Sequence, residues 1–187
     1  MLSKSKYNLP NLMTTLRIAL IPFLIVFLYF DRQSTNVVSC IIFIIASVTD
    51  FIDGYLARKY NIVTDLGKII DPAADKILVA SALIVLLDLG RVNAIVIIIL
   101  LARDFAVGAL RDLSASKGKI IAAGRSGKLK TIFQMVALGF LIYKGKLLWI
   151  DALFIGEILI YIAVILSVYS GIEYFTKYFK SDDKSLS

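Results

Sequence analysis

The sequence predicts an all-α, polytopic membrane protein with six transmembrane helices and both termini in the cytoplasm. Three observations carry that prediction. Hydrophobic residues fill 59% of the 187 positions and the mean hydropathy is +0.83, well above what a water-facing surface tolerates. Six mostly apolar runs, near 11–30, 36–57, 67–87, 92–112, 128–144 and 148–172, approach the length of about 20 residues that a helix needs to cross a bilayer. The basic residues then fix an orientation. With a cytoplasmic amino terminus, most Lys and Arg fall in the inner segments 1–9, 58–68, 103–130 and the tail, while Arg32, Arg91, Lys144 and Lys146 fall outside, which is the positive-inside pattern.

Taken in order, residues 1–10 are polar enough to form a short interfacial segment before Pro10 and Asn11 turn the chain into the first span. That span is too long for a signal peptide and lacks a small-residue cleavage site, so it is expected to stay. The single cysteine, Cys40, sits in the apolar second span as a packing residue, and no disulfide can form within one chain. Outer connections are short (31–35, 88–91, 145–147), and the long inner one is 113–125. Span six carries Glu157, expected to be paired or to face a groove, while Tyr143, Trp149 and Tyr174 read as interfacial aromatics. Residues 181–187 look like a disordered polar tail. With no repeat and sparse Pro and Gly, residues 1–187 read as one domain. The net charge of +7 suits topology and anionic headgroups, and no nucleic-acid partner is expected.

Four carboxylates dominate the interior of this apolar chain: Asp50, Asp53, Asp71 and Asp75. An ionised carboxylate in apolar surroundings is costly unless it is paired, wet or bound to a cation. Asp50 and Asp53 are three apart and Asp71 and Asp75 four apart, so each pair shares a helical face. Spans two and three run in opposite directions, which brings both pairs to a similar depth on the cytoplasmic side. The chain has no histidine, and oxygen ligands select hard cations such as Mg²⁺, Mn²⁺ or Ca²⁺. Four carboxylates suffice for two ions, a recurrent arrangement for displacement at phosphorus. A bland alternative is ion pairing with Arg58, Lys68 and Lys76, or a single structural cation. Gly54, Ala57 and Gly67 leave room beside the aspartates, for close helix packing or for a substrate.

The pattern Asp50-x2-Asp53-Gly54-x2-Ala57-Arg58-x8-Gly67-x3-Asp71-x3-Asp75 resembles the signature of the CDP-alcohol phosphatidyltransferases at every defined position. The resemblance implies six transmembrane helices, a homodimer, a site with two Mg²⁺ or Mn²⁺ ions at the cytoplasmic face, and transfer of a phosphatidyl group from CDP-diacylglycerol to an alcohol with release of CMP. By position, Asp50, Asp53, Asp71 and Asp75 would hold the metals and Asp75 would also serve as general base. Gly54, Ala57, Arg58 and Gly67 would line the nucleotide pocket. The amino-terminal echo Asn8-Leu-Pro10-Asn11-x2-Thr14-x2-Arg17 would add Thr14 to it.

A narrower resemblance concerns the acceptor. Arg103-Asp104-Phe-x4-Leu110-Arg111 and Ala122-Ala123-x3-Gly127-Lys128-x-Lys130-Thr131 are similar to the bacterial phosphatidylglycerophosphate synthases of the cytoplasmic membrane, whose acceptor is sn-glycerol 3-phosphate. Arg103, Arg111, Lys128 and Lys130 would bind the acceptor phosphate, helped by the free N–H groups that begin helix five. Other acceptors, inositol phosphate or phosphatidylglycerol, fit the signature equally. A divalent-cation transporter is the rival from another class; it would need polar residues continuing to the outer side, where spans two and three are apolar.

Overall fold

A computed structural model describes residues 9–60, 65–117, 124–147 and 149–183, with side chains described outside 9–13, 50–69, 147 and 181–183. Among the described residues the chain forms six helices: α1 (Leu9–Tyr29), α2 (Gln33–Tyr60), α3 (Asp65–Asp88), α4 (Ala94–Ser116), α5 (Arg125–Tyr143) and α6 (Ala152–Asp183). All six expected helices are present, with ends within a few residues of expectation except for α6, which runs eleven residues past the expected 172. Helix α5 packs along α6, α1 lies against α2 and α3, α4 rests on α6, and α2 touches α5.

Three ends differ from expectation. Lys146–Leu147 and Ile150–Asp151 pair as a two-stranded antiparallel hairpin (β1, β2), so the 145–147 connection is more than a loop and α6 starts at Ala152 rather than near 148. Asp151 then caps α6, its carboxylate accepting from the Leu153 N–H at 3.0 Å. Helix α4 runs through Ser116, four residues into the expected 113–125 loop. Helix α6 continues to Asp183, so Ser181–Asp183 are helical rather than part of a disordered tail, and 184–187 lie outside the described residues. Of the expected interfacial segment, Leu9 and Pro10 begin α1 and the rest lies outside the described residues.

The helix ends near the short connections are chemically closed. Helix α3 stops in a Schellman arrangement: Gly90, at φ 69°, donates to the Leu87 carbonyl and Arg91 to the Leu86 carbonyl. Asn93 caps α4 by accepting from the Ile95 N–H at 2.8 Å. The same end of the bundle is clamped by Arg91. Its buried guanidinium donates to the Leu141 and Ile142 carbonyls at 2.7 and 3.1 Å and to the Asp31 carboxylate. Lys144 and Asn36 also donate to Asp31. Burial works to raise the Asp31 carboxyl, but the Lys144 and Asn36 hydrogen bonds and the Arg91 charge outweigh it and hold it below its usual range.

The interior changes character along its length. Toward the Arg91 end it is filled by Leu24, Leu28, Leu83, Leu86, Leu100, Leu138, Leu141 and Ile142, all fully buried. Toward the other end the same helical stripes turn polar: Thr14 and Arg17 on α1, Lys130 and Gln134 on α5, Ser167 and Ser170 on α6 are buried. Outside, large apolar side chains are exposed on most helices, among them Phe23, Val26, Ile84, Ile95, Ile98, Phe154 and Ile165. Among the described residues one stretch, Ala152–Lys180, is long and apolar enough to cross a membrane, and α1 and α2 carry shorter apolar stretches, Thr14–Tyr29 and Gln33–Thr49.

Candidate active site

The polar end of the bundle opens into a cavity of about 400 Å³ walled by α3, α4, α5 and α6. Asp75 lines it from α3, Arg103, Asp104 and Arg111 from α4, Lys128, Lys130 and Gln134 from α5, and Ser170 and Tyr174 from α6. The predicted base and all four predicted acceptor-phosphate residues therefore meet in one space. Cations outnumber carboxylates in its walls, which favours an anionic ligand.

Lys130 is only 2% exposed, and its ammonium donates to both Asp104 oxygens at 2.6 Å. Arg103 donates to the same carboxylate at 3.1 Å and to the Ser170 hydroxyl at 2.7 Å. One carboxylate thus holds two cations in place and neutralises half their charge. The surplus stays available to a ligand, supplemented by the exposed Arg111, whose guanidinium lies 6.0 Å above the Tyr174 ring. Asp75 and Lys130 line the same cavity, from α3 and α5.

Glycines lie against Arg103 and Lys76. A Cβ at Gly127 would come within 3.5 Å of an Arg103 terminal nitrogen, one at Gly171 within 3.3 Å of Arg103 Cγ, and one at Gly108 within 2.6 Å of Lys76 Nζ. Arg103 is accordingly threaded between α5 and α6. At the mouth, Ser126 donates to Glu173 at 2.5 Å and Lys177 to its other oxygen at 2.6 Å. Gly124, the N-cap of α5, has no side chain to offer, and the Glu173 carboxylate sits against this end of the helix, within 2.9 Å of where a Gly124 Cβ would stand.

On the α1 side, the Thr14 hydroxyl donates to Asp71, one turn before Asp75 on α3. Arg17, one turn further along α1, donates from Nε to the Ala46 carbonyl at 3.2 Å, one turn before Asp50 on α2. Asp50, Asp53, Gly54, Ala57 and Arg58 belong to α2 and Gly67 to α3, but their side chains lie outside the described residues. Among the described residues no group of three or more metal-ligating side chains gathers. Those present, Asp71, Asp75 and Thr14, are oxygen donors, the chemistry that a hard divalent cation takes.

Two expectations change here. Tyr174, read from the sequence as an interfacial aromatic, is 4% exposed and forms part of the cavity wall. Asp104, which in the sequence is only one position of a motif, is the hub of the cation cluster. Gln134 and Ser170 were not singled out at all. Gln134 had one legible signal, its position one turn after Lys130 on the same buried stripe of α5. Glu157 lines a hollow at the opposite end with Arg91, Asn93 and Tyr161, as a groove-facing residue would.

Residues 7–169 match the CDP-alcohol phosphatidyltransferase family. A protein from Rickettsia typhi is 42% identical over 171 residues, covering 90% of this chain and 95% of its own length. One from Bacillus subtilis is 41% identical over 183 residues, covering 91% and 95%. One from Haemophilus influenzae is 40% identical over 174 residues, covering 90% and 92%. All three are named CDP-diacylglycerol–glycerol-3-phosphate 3-phosphatidyltransferase. On the strength of a match spanning most of its length, the chain belongs to the CDP-alcohol phosphatidyltransferase family.

Proposed function

We propose that this protein is an enzyme that transfers the phosphatidyl group of CDP-diacylglycerol to sn-glycerol 3-phosphate, giving phosphatidylglycerophosphate and CMP. The observation that carries the reading is the shared cavity: a carboxylate fit to take a proton, Asp75, lies in the same walls as a cation cluster fit to hold a phosphate. The names of the relatives point to the same reaction.

In this reading the acceptor phosphate rests on Arg103, Arg111, Lys128 and Lys130, near the N-terminal end of α5. The free C1 hydroxyl is thereby turned toward Asp75. As its oxygen bonds to the lipid-bearing phosphorus, its proton passes to Asp75, and the bond from that phosphorus to the bridging oxygen breaks, so that CMP leaves. Thr14, Gly54, Ala57, Arg58 and Gly67 line the place of the nucleotide. Asp50, Asp53, Asp71 and Asp75 would hold two Mg²⁺ or Mn²⁺ ions, which when bound neutralise charge developing on the diphosphate.

The setting is a single six-span domain in the bacterial cytoplasmic membrane, with both termini and the cavity on the cytoplasmic side. Supporting it are the apolar side chains exposed around the bundle, which suit lipid, and the basic cavity mouth, which suits the positive-inside side. A homodimer follows from the family resemblance. A cation pathway is disfavoured because the described interior beyond the cavity is closed by fully buried leucines. The test is to supply purified protein with CDP-diacylglycerol, Mg²⁺ and a panel of acceptors and to follow CMP. Release with glycerol 3-phosphate is expected; none above background with any acceptor would refute the reading.

A further inference from the structure

Lys76 has no task in the reaction just described. It follows Asp75 on α3 and lines the same cavity, half-buried. Ion pairing is the ordinary use of such a lysine, yet among the described residues no carboxylate pairs with it. Its ammonium lies instead 5.5 Å from the centre of the Phe105 ring. A missing side chain marks where that ammonium sits: a Cβ at Gly108 would meet Lys76 Nζ at 2.6 Å and Cε at 3.6 Å. The lysine therefore reaches across from α3 and rests on α4 at the level of Gly108. That level is one turn beyond Asp104, which holds Lys130 and Arg103, and one turn short of Arg111. A half-buried cation with no carboxylate of its own, set in a row of other cations, is offset best by an anionic ligand.

We infer that Lys76 is a further binding residue for the acceptor phosphate, closing from α3 a cradle whose other cations come from α4 and α5, and that Gly108 leaves the space its ammonium needs. The inference rests on the proposed function, in which that phosphate lies on Arg103, Arg111, Lys128 and Lys130. The diphosphate of the donor is the other anion in the reaction, but the nucleotide is placed on the side of Thr14, which bonds Asp71. Lys76 leans the opposite way, onto α4. Because Asp75 and Lys76 are consecutive, one stretch of α3 then meets the acceptor at both its hydroxyl and its phosphate.

The test is two variants and their combination, with KM measured for each substrate. Lys76→Met removes the charge and keeps most of the length. Its KM for glycerol 3-phosphate should rise about tenfold while its KM for CDP-diacylglycerol holds within about twofold. Gly108→Ala keeps the lysine but puts a methyl group where the ammonium lies. The tip of a flexible side chain can yield to it, so the fold should survive, and the acceptor KM should rise about three- to fivefold. In the double variant the acceptor KM should equal that of Lys76→Met alone, because with the ammonium gone Gly108 has nothing to seat; independent sites would add instead. A merely structural lysine would change Tm and leave the acceptor KM where it is. The inference is overturned if Lys76→Met or Gly108→Ala keeps the wild-type acceptor KM, if the donor KM rises in its place, or if the double variant sums the two effects. A wild-type enzyme that releases no CMP with glycerol 3-phosphate would instead overturn the proposed function, and this inference with it.

Discussion

Replacing Asp104 by Asn removes the one negative charge that holds Lys130 and Arg103 together. Lys130 is 2% exposed and its ammonium sits 2.6 Å from both carboxylate oxygens. At an effective dielectric of about 20, that contact has a gross attraction on the order of 6 kcal/mol. Desolvation opposes most of it, and breaking a buried pair from one side typically costs about 3–5 kcal/mol. The Asp104 side chain is 24% exposed to the cavity, where water can enter, so about 2–4 kcal/mol is expected. For a chain of this length that corresponds to a fall in Tm of roughly 5–15 °C. Thermal unfolding in detergent micelles reads this directly. The second arm is Asp104→Asn combined with Lys130→Met, which removes the stranded charge and should recover most of the lost stability. It should not recover function, because the acceptor phosphate has lost a cation. A double variant as unstable as the single one, or an Asp104→Asn protein with wild-type Tm, would refute the account of this cluster.

Other predictions test separate parts of the structure. Arg111→Ala removes an exposed cation at the cavity mouth, so the acceptor KM should rise about three- to tenfold with kcat kept; steady-state kinetics over acceptor concentration would show it, and a fall in kcat alone would contradict it. Asp31 is held below its usual pKa by Lys144, Asn36 and Arg91. Its stabilisation is therefore complete above the unfolded value of about 4 and lost as the pH falls through the lower folded value. Asp31→Asn should lower Tm at pH 7 and flatten the acid limb of the Tm–pH curve, and an unchanged limb would exclude it. A Cβ at Gly156 would lie 2.7 Å from Leu141 Cγ and 3.1 Å from the Leu141 backbone nitrogen. Gly156→Ala should thus cost about 1–3 kcal/mol in thermal unfolding, since backbone cannot yield as a side-chain tip can.

Much of this was legible in the sequence because it depends on spacing. Apolar runs of near-bilayer length marked the six helices, and of the four spaced carboxylates Asp75 lines the cavity. Arg103 is legible because a charge about two turns within an apolar span demands a reason, and Lys130 because it belongs to the Gly127–Thr131 motif that starts helix five; both line the cavity with Asp75. Asp104 did not stand out, although it pairs with both. Its role depends on α4 and α5 meeting, and one helix's sequence does not say which neighbour it faces. Tyr174 shows the same limit: an aromatic near the end of a span has the same sequence signature whether it faces headgroups or a cavity, and here it is buried under Arg111. The hairpin at 146–151 escaped because two-residue strands carry no periodicity to read. The extra turns of α4 and α6 mix polar and charged residues with apolar ones, so hydropathy alone did not place the ends of these helices.

The central claim is that Asp75 takes the proton of an alcohol whose phosphate is held by the neighbouring cations. It is tested most directly by supplying labelled glycerol 3-phosphate and CDP-diacylglycerol to the wild-type enzyme and to Asp75→Asn, and measuring label in the lipid phase together with CMP. The account predicts one labelled lipid per CMP for wild type, and for Asp75→Asn a turnover lower by about 10²–10⁴-fold with CDP-diacylglycerol binding largely kept. Turnover by Asp75→Asn at the wild-type rate, or CMP released without label entering lipid, would contradict it.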